Sequence, residues 1–286
     1  VVHTLDELDE RLAYLDAAGA VSDDELRRGF ETFVMEVDFS LPDDPFSPEY
    51  RQAVLDSYQW LHGSTYETSN EHTEFDLAHF VNFPFPFSTQ SGATAGDYFI
   101  AIGHILRTLD LPPASRILEF GPGWGHTSVW LAQLGHHVTA IDISQNFVDL
   151  IEARAAMVDT KVNMILGDFS AASELDDQFD AVLFFESFHH CTDHMALLES
   201  LDRIVAPGGR VLFAAEPITE DFYAPWGLRL DGESLWAIRK NGWFEIGFRK
   251  SYFFEALRRA GWMATEVNCS DSPRGQILVA SRLSEQ

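Results

Sequence analysis

The sequence predicts a doubly wound α/β protein, with a mainly parallel sheet of seven strands behind a helical N-terminal cap. Three observations carry this expectation. From Ser115 onward, short β-rich apolar runs alternate with segments of helix length. A glycine-rich stretch, "GPGWG" at 121–125, lies directly between the first of these runs and a helix. The hundred residues ahead of Ser115 carry helix-start signals and no strand alternation.

In the N-terminal part, Thr4-x-x-Glu7 and Ser22-x-x-Glu25 both fit a capping box ahead of an apolar run of helix period. Ser47-Pro48-Glu49 starts a third helix, because proline is tolerated where the first turn lacks hydrogen-bond partners anyway. Gly63 is placed to end it. The stretch "NFPFPFSTQSG" (82–92) reads as an aromatic-rich connection, since Pro84 and Pro86 exclude a helix. A further helix is expected from about Thr94 to Leu109.

The strand candidates follow as "RILEF" (116–120), "HVTAID" (137–142), "VNMILG" (162–167), "AVLFF" (181–185) and "RVLFAAE" (210–216). A helix around 251–260 precedes two more, at 263–269 and 276–281. Near-continuous apolar strands separated by helices imply a parallel sheet covered on both faces. The expected division is a helical cap over 1–93 and an α/β domain over 94–286, with an insertion at about 217–250 that is too long for a simple connection.

Composition narrows the partners. The chain has 286 residues, 46% of them apolar, enough for a sizeable core. Its formal net charge of −26 disfavours a nucleic-acid partner, which needs a dense cationic face. Residues 1–110 hold 21 acidic and five basic side chains, an excess that reads as a solvated face. Two cysteines, Cys191 and Cys269, give no disulfide framework and suit a reducing compartment. No apolar run is long enough to span a bilayer and the acidic N-terminus is unlike a signal peptide, so the expectation is a cytoplasmic protein without a membrane partner. The sequence leaves the oligomeric state open.

The chemistry begins at the glycine turn. Gly121, Gly123 and Gly125 allow a sharp bend and a close backbone approach to a ligand, beside a helix N-terminus with unpaired N–H groups. A dinucleotide fingerprint would be G-x-G-x-x-G, but here His126 stands where the last small residue belongs. Glu119, just ahead of the turn, would repel a pyrophosphate and suit a ligand bearing a cationic amine. Both features argue against a nicotinamide-dependent oxidoreductase.

The stretch "LEFGPGWG" resembles the first motif of class I S-adenosylmethionine-dependent methyltransferases, and the resemblance extends over about residues 95–285. It implies the Rossmann-like methyltransferase fold, with S-adenosyl-L-methionine as cofactor and S-adenosyl-L-homocysteine as product. Asp142, closing the second strand in "AIDIS", resembles the family's acid for the ribose hydroxyls, with Ile143 beside it. One carboxylate can accept from two vicinal hydroxyls, although Asp142 also suits the role of a helix cap. In "GDFS", Asp168 resembles the residue that accepts from the adenine amino group and Phe169 the one that flanks the ring; a loop cap is the alternative for Asp168. "VAPGGRVLF" (205–213) resembles the family's turn into its fifth strand.

"FFESFHHCTDH" (184–194) then falls at the carboxyl end of the fourth strand, facing the cofactor's methyl group in such a fold. Methyl transfer from a sulfonium is an in-line displacement, in which the acceptor must be held near attack distance and its proton removed or shared. His189 and His190 are the candidate base or orienting residues, since a histidine titrates near working pH; one of the pair is expected to be structural. Glu186 is expected to contact cofactor or acceptor, or else to pair with His126. A metal site among His189, His190, Cys191, Asp193 and His194 is not expected, because adjacent ligands rarely converge on one ion. Thr192 or Asp193 instead reads as the N-cap of a helix.

The acceptor is expected to be a small molecule, with oxygen methylation favoured and a glycan or secondary metabolite as its class. The 217–250 insertion carries Phe222, Tyr223, Trp226, Trp236 and Trp243 with Arg229, Arg239 and Lys240. These suit a ring-bearing or sugar-like acceptor with an anionic group, or else simply pack the insertion onto the N-terminal helices. A non-catalytic cofactor-binding protein of the same fold is the alternative function.

Overall fold

The computed structural model describes residues 1–20, 22–83 and 91–283. It divides into two compact units, Val1–Glu71 with Ile218–Lys250, and His72–Pro217 with Ser251–Gln286. The expected boundary at residue 93 is therefore drawn elsewhere. Residues 72–83 group with the unit that holds the sheet, and 218–250 with the N-terminal helices. The aromatic connection expected at 82–92 falls mostly outside the described residues.

In the first unit, helix α1 (Leu5–Gly19) buries Leu8, Leu12 and Leu15, the apolar stripe of an amphipathic helix. Thr4 caps it by accepting from the Glu7 N–H at 3.2 Å, while the Glu7 carboxylate reaches back to the N–H of His3 at 2.7 Å. Ser22 caps α2 (Asp23–Phe30) by accepting from the Glu25 N–H at 3.2 Å. Helix α3 (Pro48–His62) starts at the Ser47 cap and ends at Gly63, whose φ of 101° only glycine adopts without strain.

The 218–250 segment folds into β6 (Ile218–Thr219), β7 (Trp226–Leu228), α9 (Gly232–Asn241) and β8 (Ile246–Arg249), the strands pairing in the order β6-β8-β7. Two buried tyrosines of α3 tie it down: Tyr50 Oη donates to the Trp226 carbonyl at 2.8 Å and Tyr58 Oη to that of Gly242 at 2.5 Å. This small sheet was not expected from the sequence, because strands of two to four residues are too short to show a period.

The second unit carries α4 (Leu77–Val81) and α5 (Gly92–Leu109), and then the alternation β1 (Arg116–Phe120), α6 (His126–Gln133), β2 (His137–Asp142), α7 (Gln145–Met157) and β3 (Val162–Leu166). It continues with β4 (Phe179–Phe185), α8 (His194–Ile204), β5 (Val205–Ala214), α10 (Lys250–Arg259), β9 (Trp262–Asn268) and β10 (Gln276–Arg282). The seven strands pair as β3-β2-β1-β4-β5-β10-β9. β1 to β5 are mutually parallel, and β10 runs against both β5 and β9. The fifth strand begins earlier than expected, at Val205, and takes in Pro207-Gly208-Gly209 through a register shift between Phe179 and Ala181. It ends at Ala214, because Ala215 turns into the left-handed region (φ 52°).

Phe120, Phe184 and Phe213 stack face to face across β1, β4 and β5, with centroids 5.0 and 5.3 Å apart, and Phe188 packs edge-on against two of them. Each fully buried phenylalanine stabilises by about 2–3 kcal/mol. Among the described residues, no helix is long and apolar enough to cross a membrane.

Candidate active site

Strand order reverses between β1 and β4, since the chain proceeds outward to β2 and β3 on one side and to β5 on the other. In an open parallel sheet the ligand crevice lies at such a point, beyond the carboxyl ends of the strands. Two turns border it here: the glycine turn after β1 and residues 186–190 after β4.

The glycine turn has left-handed residues at Gly121 (φ 60°), Gly123 (φ 50°) and Gly125 (φ 73°). A Cβ on Gly121 would lie 2.7 Å from Ser187 Cβ, and one on Gly125 would lie 2.3 Å from Ile151 Cγ1. These two glycines let the turn nest against β4's loop and α7. Gly123 differs, because a Cβ there would meet nothing within 4 Å. Its backbone therefore faces open space. No side chain caps the N-terminus of α6.

Two carboxylates flank this turn. Glu119 is fully buried in β1 and accepts from Ser128 Oγ. Burial pushes its carboxyl up to about 7, and the nearby Asp142 charge adds to the rise while the serine opposes it. Asp142, 5% exposed at the end of β2, accepts from the Gly123 N–H at 3.2 Å and the Ser144 N–H at 2.9 Å. Burial raises it to about 6 against the pull of the Ser144, Gly123 and Ile143 N–H groups. Asp142 thus touches the glycine turn directly, and half-buried Ile143 follows it.

A buried carboxylate pair held near its protonated range, beside a backbone that faces open space, fits an adenosyl amino acid. A cationic amine would relieve Glu119, and vicinal hydroxyls would satisfy Asp142. A pyrophosphate would meet two acids.

Asp168 caps the 3-10 turn Phe169–Glu174 by accepting from the Ser170 N–H at 2.8 Å, which is the local role the sequence left open for it. Phe169 lies tilted against Phe120, with centroids 5.9 Å apart, and is half-buried.

After β4, Glu186 adopts φ 50° and pairs with Arg274 rather than with His126, Oε1 to Nε 3.0 Å. Arg274 also stacks over the Tyr98 ring at 4.1 Å. His126 lies instead 3.4 Å from the Arg154 guanidinium. His189 is buried, its Nδ1 2.7 Å from Glu216 Oε2, and its ring packs against that of half-buried His190 with centroids 4.3 Å apart. Asp193 caps α8, and His194 points into the core to Tyr252 Oη at 2.7 Å, away from the pair.

Four residues of this region carry no signal in the sequence reading. Ser128 and Arg274 contact the acids only through the fold, whereas Ser144 meets Asp142 two residues along the chain. Glu216 was visible only as the carboxylate ending the apolar run "VLFAAE". In the first unit, the cations expected to serve an acceptor are engaged in that unit's own packing. Arg229 pairs with Asp231 and Glu245, Arg239 with Asp9, and Lys240 with Asp16. Trp226 packs tilted against Tyr50 and Trp236 against Phe30.

Residues 118–213 match the family model described as "Methyltransferase domain". Methyltransferase GfsG of Streptomyces halstedii is 26% identical over 167 residues, covering 56% of this chain and 59% of the relative. Ubiquinone biosynthesis O-methyltransferase of Xanthomonas oryzae pv. oryzae is 30% identical over 119 residues, covering 40% and 48%. The alignments thus span about half the length of these curated relatives. An S-adenosylmethionine-dependent methyltransferase from Mesorhizobium loti has the same fold, with a TM-score of 0.50 at 21% identity over 64% of this chain and 98% of its own.

The seven-stranded sheet with its reversed β10 is accordingly the α/β fold of methyl-transferring enzymes. Residues 118–213 thus carry a methyltransferase domain, and the fold is that of class I S-adenosylmethionine-dependent methyltransferases.

Proposed function

We propose that this protein transfers a methyl group from S-adenosyl-L-methionine to a small-molecule acceptor, with oxygen as the favoured atom. The observation that carries this reading is the bond from the Gly123 N–H to the Asp142 carboxylate, which brings the turn after β1 and the acid ending β2 into one crevice with Glu119 behind. Glu119 would receive the amino-acid end of the cofactor, Asp142 the ribose hydroxyls, and Asp168 with Phe169 the adenine. Gly121, Gly123, Gly125 and Ile143 line its path, and Glu186 closes the floor with Arg274. When bound, the cofactor supplies an electrophilic methyl on a sulfonium. The protein's own task is to align the acceptor, exclude water and take up or share its proton, and the 189–190 pair is the group at hand. The Xanthomonas oryzae relative is named for O-methylation, which lends the oxygen preference its support.

A thermal shift tests the cofactor. A ligand at 100 times its dissociation constant stabilises by about 2.7 kcal/mol, which raises the melting temperature by several degrees. S-adenosylhomocysteine should do so and NADH should not; the reverse result ends the methyltransferase reading. Turnover against a panel of hydroxylated acceptors then separates an enzyme from a cofactor-binding protein.

A further inference from the structure

Glu216 lies just past the end of β5, outside the cofactor motifs, yet the turn at the end of β4 is organised around it. The side chain is wholly buried. Its Oε1 accepts from the backbone N–H groups of Ser187 at 2.9 Å and Phe188 at 2.8 Å, and its Oε2 from that of His189 at 3.2 Å. His189 Nδ1 lies 2.7 Å from the same Oε2. Ser187 Oγ in turn donates to the Phe120 carbonyl at 2.8 Å, which fastens this turn to β1 directly ahead of the glycines. One carboxylate therefore sets the position of the whole 187–190 segment against the glycine turn.

We propose that Glu216 is a positioning residue for methyl transfer, fixing His189 as the Nδ1–H tautomer and as the buttress of the pair, so that His190 is the imidazole offered to the acceptor. The proposal rests on the methyltransferase reading for its last step only. An oxygen that already accepts a backbone N–H needs a second donor, and His189 supplies it when its proton sits on Nδ1. No proton moves to Glu216; the pair is an orienting contact. Burial holds Glu216 up to about 7, with its three N–H partners and the His190 charge opposing that rise, so the Nδ1–H tautomer belongs to the carboxylate form above that pH.

Nitrogen-15 NMR of the full-length protein, labelled at histidine and assigned with a His189→Gln variant, reads the tautomer directly. A protonated Nδ1 and an unprotonated Nε2 at His189 near pH 8 are expected; the opposite tautomer overturns the proposal. Glu216→Gln is the second arm. Its carbonyl can still accept from the Ser187 and Phe188 N–H groups, but its amide nitrogen, in place of Oε2, would face Nδ1 as a donor and drive His189 to the other tautomer. Turnover with an acceptor drawn from the hydroxylated panel should then fall about a hundredfold in kcat, with the affinity for S-adenosylhomocysteine within twofold of wild type. Wild-type kcat, or an equal loss of kcat and cofactor affinity, refutes a positioning role. Failure of wild type to bind S-adenosylhomocysteine would instead sink the functional reading, while the NMR result still decides the clamp.

Discussion

A carboxylate enclosed by protein resists ionisation, and Glu119 does so beside the turn where an amino-acid cofactor would place its ammonium. A cation there would draw the carboxyl back down from about 7. Binding of S-adenosylhomocysteine near pH 6.5 should therefore release a proton, and binding at pH 8.5 should not. Calorimetry in buffers of different ionisation heat measures this, and a buffer-independent enthalpy at pH 6.5 would exclude the amine role. Asp142→Ala should weaken the same ligand by about 1.5–3 kcal/mol, the worth of charge-assisted hydrogen bonds. Unchanged affinity in that variant contradicts the ribose assignment. Gly125→Ala combines a left-handed φ with a contact to Ile151 that cannot be relieved cheaply, so a loss of about 2–4 kcal/mol is expected in denaturant unfolding.

At the scale of elements, residues 72–83 lie strapped along the loops that flank the glycine turn. Arg154 of α7 donates to the Trp124 carbonyl at 2.6 Å and to those of Phe80 and Phe83 at 2.8 Å. Ser144 Oγ donates to the Thr73 carbonyl at 3.0 Å. Phe75 packs on both Trp124 and Phe147, with centroids 5.1 Å away in each case. Of the three carbonyls on this one guanidinium, two belong to the 72–83 segment and the third to the glycine turn, so a single side chain ties the two together. Arg154→Met should cost about 2 kcal/mol, and hydrogen exchange should rise selectively at 72–83. A uniform rise across the sheet would show that the arginine supports the domain as a whole. None of this could be read from the sequence, where Arg154 is one more cation on a helix face. The helices themselves were legible, because caps such as Thr4, Ser22 and Ser47 act within three residues of their partners.

For the whole molecule, Glu119 and Glu216 are raised from 4.5 to about 7 and Asp142 from 3.8 to about 6. Below about pH 4 folded and unfolded chains both hold these protons. As pH rises from there to about 7 the unfolded chain gives them up first, so stability falls through this window and levels off above it. Accumulating negative charge on a chain that reaches a formal −26 at pH 7 acts in the same direction. The melting temperature of the cofactor-free protein should thus be higher at pH 5.5 than at pH 8. A flat profile would mean that these carboxyls ionise freely in the folded state.

The sequence by itself determined the parallel sheet, its glycine turn and the position of Glu119 and Asp142 beside it, because apolar strand runs and a turn of left-handed residues are local demands written in consecutive residues. Tertiary structure decided which of these groups meet. It set Glu216 beneath the histidines, Arg274 on Glu186, and the 218–250 segment among the N-terminal helices. These contacts join residues 27 to 230 positions apart, and the preference of a buried polar group for a partner says that one must be found without saying where along the chain it lies.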